Sequence, residues 1–174
     1  MTDAAIRDPD AIPSYDVAQR DDMGRLIGVT WHAAGAVSGA AGRTRWLVAV
    51  DGSTCSLRAV AVVANWVALE NGAELDLVHI QPWLNKEAAE TELVRCGWAA
   101  TAQARQLLHA ASIRWHLHVV MGEGAPEIVA KANALGSRGI AIGSRGLTVT
   151  ESLLLGSVAY KVIHMAKLPV LVVR

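Results

Sequence analysis

Five short apolar runs punctuate the chain from residue 46 to its end, and four stretches of helical spacing separate them. No other feature restricts the fold as much. A buried strand reads as a continuous apolar run of four to eight residues, whereas an amphipathic helix repeats every 3.6. The strands read as Trp46-Leu-Val-Ala-Val50, Leu75-Asp-Leu-Val-His-Ile80, Ile113 to Val120, Gly139-Ile-Ala-Ile142 and Pro169-Val-Leu-Val-Val173. The spacing predicts helices from Ser53 or Thr54, as cap, through Leu69, over 86–111, from about Pro126 to Leu135, and over roughly 153–165. Asn71-Gly72 and Gly136 supply stop signals after the first and third of them.

Strands joined by helices of this length form βαβ units with right-handed crossovers, so the expected sheet is parallel with helices on both faces. In an open sheet of this kind ligands bind beyond the carboxyl ends of the strands, where the strand order reverses. Two loops at that edge carry chemistry. Asp51-Gly-Ser53 follows the first strand, and Gly143-Ser-Arg-Gly146 follows the fourth. A glycine-rich turn leaving a buried strand aims backbone N–H groups at one point, where an anion can sit. After nine intervening residues, 147–155, comes Gly156-Ser157, a second such pair at the predicted start of the last helix. If strands one and four are neighbours, as in the order 3-2-1-4-5, the two loops meet over one crevice.

Composition narrows the partners. The 174 residues are 52% hydrophobic and 18% charged, with a formal net charge of +0. That balance describes one compact domain with a buried core and lacks the basic face that nucleic-acid binding needs. No apolar run approaches the roughly 18 residues of a membrane helix, and the polar, acidic N-terminus does not read as a signal peptide. Cys55 and Cys96 match no metal or redox spacing, as expected of reduced thiols in a cytoplasmic protein. The first 44 residues differ from the rest. They hold early Asp/Pro turns and a small-residue tract, Ala33 to Gly42, and read as a partly flexible extension before a domain spanning 45–174. Within the extension, Gly24 to Trp31 can form a short strand or turn that docks on the domain.

Other features have plainer readings. His116 and His118 share one face of the third strand; without a third ligand they read as a half-exposed strand face rather than a metal pair, and no metal ligand is assigned. The six tryptophans read as core and interface residues, and the echo Gly136-Ser-Arg-Gly139 as a coincidence at a helix end.

The motifs taken together resemble the universal stress protein family. Ala49-Val-Asp-Gly-Ser53, Val78-His-Ile80, Gly122 to Val129, Ile142-Gly-Ser-Arg-Gly146, Gly156-Ser-Val158 and Leu168 to Val173 fit it in order, over about 46–174. The resemblance implies a single doubly wound, open, parallel five-stranded sheet of order 3-2-1-4-5 and an adenine nucleotide at the switch point. The two-then-nine glycine spacing implies the branch that binds ATP, with ADP or AMP as alternatives and Mg2+ carried by the phosphates. It also implies a homodimer made by pairing the last strands, 169–173. Carried over, Asp51 contacts the ribose or nucleotide edge, and Ile80 and Ile142 pack near adenine. Gly143, Arg145 and Gly146 hold the ribose-phosphate side, and Gly156, Ser157 and Val158 the phosphates. The chain departs from the family pattern at Gly124, often Pro, and at Ala159-Tyr160, more usually Ser followed by Glu or Asn.

No P-loop lysine follows either glycine motif, so no catalytic residue is assigned. The expected protein is an ATP-binding regulator in stress response, non-catalytic or a very slow hydrolase, acting on an unknown protein partner. The alternative is a nucleotide-independent interaction module of the same fold, working through its dimer surface or extension.

Overall fold

The computed structural model describes residues 12–34, 45–69, 74–147 and 155–174. Its elements in chain order are β1 (Val17–Arg20), β2 (Leu26–His32), β3 (Trp46–Ala49), α1 (Thr54–Val67), β4 (Glu74–Gln81) and α2 (Lys86–Ala100). There follow α3 (Ala102–Ala110), β5 (Arg114–Met121), α4 (Gly124–Ala134), β6 (Gly139–Gly143), α5 (Ser157–Met165) and β7 (Val170–Val173).

The sheet has seven strands in the order β1-β2-β5-β4-β3-β6-β7, which corrects the expected five. The whole order differs because two strands are added beyond β5, while the five expected strands, β3 to β7, stand as 3-2-1-4-5 within it. Strands β5, β4, β3, β6 and β7 are mutually parallel, and β2 and β1 add antiparallel beyond β5. The two extra strands come from the N-terminal extension. Its apolar content is thin in sequence, but Leu26, Val29 and Trp31 fall two or three residues apart and are all buried in the main core.

Alternation along each strand divides that core into two layers. Val48, Leu77 and Leu117 pack under α1, α2 and α3, while Leu47, Val78 and Ile140 pack under α4 and α5. The helix expected over 86–111 is broken at Thr101, whose φ of −101° and ψ of 3° leave the α region. Its hydroxyl donates to the carbonyls of Gly97 and Trp98, at 2.8 and 3.4 Å, in competition with the backbone ladder. The helix ends expected near Asn71-Gly72 and at residue 153 lie outside the described residues.

The strand face carrying His116 and His118 is buried, not half-exposed: the two are 1% and 5% accessible. Register explains it, because Thr30 and His32 of β2 lie opposite His118 and His116, and Asp76 of β4 lies on the other side of His116. Arg45 donates to Asp76 (2.7 Å) and Glu74 (3.0 Å), and Arg114 donates to Glu74 (3.1 Å). His118 Nε2 faces Asp76 (3.0 Å) while Nδ1 faces the Thr30 hydroxyl (3.1 Å). His116 Nε2 lies 3.2 Å from the Arg45 guanidinium and 3.4 Å from Glu74 Oε2, and His116 Nδ1 lies 2.6 Å from His32 Nδ1. Burial pulls the pKa of His116 and of His118 down and so favours their neutral forms.

Candidate functional site

The chain leaves β3 toward α1 on one face of the sheet and leaves β6 toward α5 on the other. This divergence opens a crevice at the carboxyl ends of two neighbouring strands. A cavity of about 360 Å³ lies there, within the usual range for a small-ligand site.

Local chemistry builds each wall. After β3, Gly52 adopts φ +85°, a left-handed turn that suits glycine, and Ser53 caps α1 by accepting from Ser56 N–H at 3.2 Å. Asp51 is clasped between the two loops: one carboxylate oxygen accepts from Ser53 N–H (2.9 Å), the other from Leu147 N–H (3.3 Å). Gly146 makes that possible, since a Cβ there would stand 2.6 Å from Asp51 Oδ2. Gly143 is equally constrained, because a Cβ would come within 2.7 Å of the α1 backbone at Cys55 and Ser56. The segment is tied down from behind: Ser144 N–H donates to Val173 C=O at 2.6 Å, and Gly156 N–H to Ser144 C=O at 2.7 Å.

The cavity is chemically divided. Val78, Ile80, Ile128 and Ile142 give it an apolar wall. The start of α5 also lines it; there Gly156 is the N-cap, no side chain caps the helix and the first turn holds no acid. The first N–H groups of a helix have no partner within it, and they carry the positive end of the macrodipole. An anion is therefore favoured there and an aromatic or aliphatic group along the apolar wall. His79 at the rim hydrogen-bonds Val50 C=O at 2.8 Å, and burial pulls its pKa down. Among the described residues, no group of three or more His, Cys, Asp or Glu has an arrangement that could hold a metal ion. Likewise no described helix is long and apolar enough to cross a membrane.

All nine predicted residues line this one cavity: Asp51, Ile80, Ile142, Gly143, Arg145, Gly146, Gly156, Ser157 and Val158. Sequence reasoning did not assign Ser144, Leu147, Gln81 and Pro82 to it. Ser144 sits inside the glycine motif and Pro82 closes the predicted second strand, so both carried a signal. Leu147 and Gln81 enter by their place next to a motif and carried none. The two departures after Ser157 separate: Ala159 is buried and lines the cavity, whereas Tyr160 is exposed, stacks on His164 and is not part of the wall. Gly124 also lines it, and a Cβ at that position would press on Val158 at 3.2 Å.

Comparison with known proteins agrees with this architecture. The sequence model of the Universal stress protein family matches residues 42–174. The chain is 29% identical over 150 residues to universal stress protein YxiE of Bacillus subtilis, covering 75% of this chain and 98% of that one. It is 32% identical over 137 residues to universal stress protein MJ0531 of Methanocaldococcus jannaschii, covering 74% and 80%. A solved universal stress protein in complex with cAMP superposes with a TM-score of 0.62 at 25% identity, over 75% of this chain and 97% of that one. With its doubly wound sheet, its paired loops and a match across the whole segment that carries them, the chain belongs to the universal stress protein family.

Proposed function

We propose that the cavity holds an adenine nucleotide, ATP or its ADP or AMP form, and that the protein is a stress-response regulator that retains the nucleotide rather than turning it over. The observation that carries this reading is the meeting of Asp51, the Gly143–Gly146 loop and the uncapped start of α5 around one apolar-walled cavity. In this reading the base lies along Ile80 and Ile142, and the Asp51 carboxylate accepts from ribose hydroxyls. The N–H groups at Ser157 and Val158 take phosphate, with Gly143, Arg145 and Gly146 on the ribose-phosphate side. A solved relative that holds cAMP supports the ligand class. Mg2+, if it accompanies the nucleotide, is brought by the phosphates.

Retention rather than turnover follows from the wall itself. Its described residues include one carboxylate, Asp51, already accepting two backbone N–H groups, no lysine, and one arginine, Arg145, which this reading puts on the ribose-phosphate side. Phosphoryl transfer needs positioned cations at the terminal phosphate. Lys161, one turn into α5, is instead paired with Glu123 at 2.7 Å.

The assembly we propose is a homodimer through residues 169–173. β7 ends the sheet, and an apolar edge strand exposes unpaired backbone groups unless a second strand covers them. Residues 45–174 then form the nucleotide-binding unit and 1–44 the extension to it, in a cytoplasmic protein.

Chromatography of the supernatant from heat-denatured purified protein tests the ligand, together with thermal unfolding in millimolar ATP. At a hundred times Kd the ligand adds about 2.7 kcal/mol of stability, a rise of roughly 5–10 °C for a chain of this size. No adenine nucleotide released and no rise with ATP would refute the reading.

A further inference from the structure

The base-side wall of the cavity ends in a loop that its own strand does not hold. Gln81 C=O still accepts from Gly122 N–H at 2.9 Å, but Pro82 has no N–H to offer, and the chain leaves the sheet until Asn85 caps α2. Ile80, Gln81 and Pro82 line the cavity, whereas Trp83, Leu84 and Asn85 do not, so the 82–85 loop bears on its apolar end through Pro82.

The anchors of that loop come from the N-terminal hairpin. β2 runs antiparallel to β5 with Gly28 opposite Val120, which brings the β1–β2 turn to the carboxyl end of the parallel strands, the end that carries the cavity. The turn is built by Asp21, whose carboxylate accepts from Met23 N–H (3.0 Å) and Arg25 N–H (2.9 Å), while Gly24 takes φ +72°. Asp21 also pairs with the Arg25 guanidinium, through Nε at 3.0 Å and Nη2 at 2.9 Å, and so aims it. Arg25 Nη1 then donates to Leu84 C=O at 3.3 Å, and its guanidinium lies 5.1 Å from the Trp83 ring centroid. In the opposite direction, Lys86 Nζ donates to Met23 C=O at 2.8 Å, and Arg20 of β1 pairs with Glu90 of α2. Within the domain itself, Leu84 N–H finds the Met121 sulfur at 3.1 Å, a weak acceptor. The hairpin is not loosely attached, since Trp31 of β2 is buried against Trp98 of α2.

We propose that the N-terminal hairpin is a clamp on the nucleotide site: Arg25 and Lys86 hold the 82–85 loop in the position that closes the base-side wall. The matched family segment begins at residue 42, so the hairpin lies outside it while Lys86 and the 82–85 loop lie inside it. Arg25 and Lys86 are positioning residues, acting through the loop. The inference rests on the adenine-nucleotide reading above and concerns the regulation of that site. Whatever displaces the hairpin lowers nucleotide affinity without touching the phosphate end.

The test compares the full chain with Arg25→Gln/Lys86→Met, by calorimetric titration with ATP and with inorganic tripolyphosphate, and by hydrogen exchange over residues 81–85. The double variant is expected to exchange faster over 81–85 and to bind ATP about five-fold more weakly, as when the competent loop population falls to about a fifth. Tripolyphosphate affinity stays at the wild-type value, and Lys86→Arg alone, which keeps the donor, binds ATP as the wild type does. Equal ATP affinity in the double variant overturns the clamp, and so does a parallel loss of tripolyphosphate binding, which would mark a general loosening. Wild-type protein that binds tripolyphosphate but not ATP refutes the adenine reading and, with it, the clamp's part in regulation. Unchanged exchange over 81–85 refutes the clamp alone.

Discussion

Replacing Gly146 by alanine separates the geometry of the site from the stability of the fold. A Cβ at this position stands 2.6 Å from Asp51 Oδ2, where ordinary contact begins at 3.4 Å. The carboxylate must therefore retreat by about 0.8 Å, taking the Leu147 N–H hydrogen bond from 3.3 Å beyond bonding range. That bond is worth about 1 kcal/mol net. Gly146 does not have a positive φ, so alanine is compatible with its backbone, and the entropy removed from the unfolded chain returns about 0.4–1 kcal/mol. The two nearly cancel, and Tm should move by less than about 4 °C in a chain of this size. Binding does not cancel. An Asp51 carboxylate displaced from a ribose hydroxyl forfeits a charged hydrogen bond of about 1.5–3 kcal/mol, roughly ten- to 150-fold in Kd for ATP by calorimetry. The decisive measurement is the cycle with Asp51→Ala. Without the carboxylate there is nothing to clash with, so Gly146→Ala should become stabilising by about 0.4–1 kcal/mol and leave residual ATP affinity unchanged. Strictly additive effects in the double variant would refute the Asp51–Gly146 contact as the cause.

Two further outcomes concern the fold. Stability, read as the urea midpoint, should fall as pH drops below about 6.5, the ordinary histidine value, because burial lowers the pKa of His116 and of His118 in the folded state. The unfolded chain then binds protons that the folded chain refuses, at a cost of about 1.4 kcal/mol per pH unit for each unmatched proton. Burial opposes ionisation of Asp76, but the His118 hydrogen bond and the Arg45 charge and hydrogen bond outweigh it, so a second loss follows as pH falls below the ordinary carboxylate range. A urea midpoint flat from pH 8 to 5 would contradict the neutral-histidine assignment. At Gly97, where α2 crosses β5, a Cβ would stand 2.5 Å from both Val119 methyl carbons. Gly97→Ala should therefore cost about 1–3 kcal/mol in chemical denaturation, and Val119→Ala should restore part of it; equal damage in both backgrounds would refute the contact.

The fold class was legible because its signals are local. Trp46 to Val50 and Gly139 to Ile142 are apolar on both faces, a pattern that belongs to a strand covered by helices on each side. Ser53 and Asn85 each cap a helix with a side chain that bonds three residues ahead, a relation contained in a few positions of sequence. The predicted residues that line the cavity were legible for the same reason. Gly143, Gly146 and Gly156 are turn residues whose roles need only a strand before them or a helix after them.

The hairpin was not legible as part of the sheet. Val17 to Arg20 is exposed along its whole length, and its pairing is set by backbone bonds to β2, which leave no apolar pattern. Burial of His116 and His118 was invisible as well. Their alternation along β5 reads as a polar outer face until β2 and β4 bring Thr30, His32 and Asp76 alongside and Arg45 folds across them. The break at Thr101 depended on a hydroxyl choosing carbonyls over solvent.

Sequence alone determined that alternating strands and helices form a doubly wound sheet and that Asp51 and the glycine loop lie at the ends of strands, since periodicity and turn chemistry are short-range. Only the tertiary structure decided that Asp51 sits against Gly146, that seven strands rather than five make the sheet, and that the N-terminal hairpin reaches the loop after Pro82. Those relations join residues 95 or 59 positions apart in chain. Distances between such residues are fixed by strand order and packing, which no local pattern of side chains records.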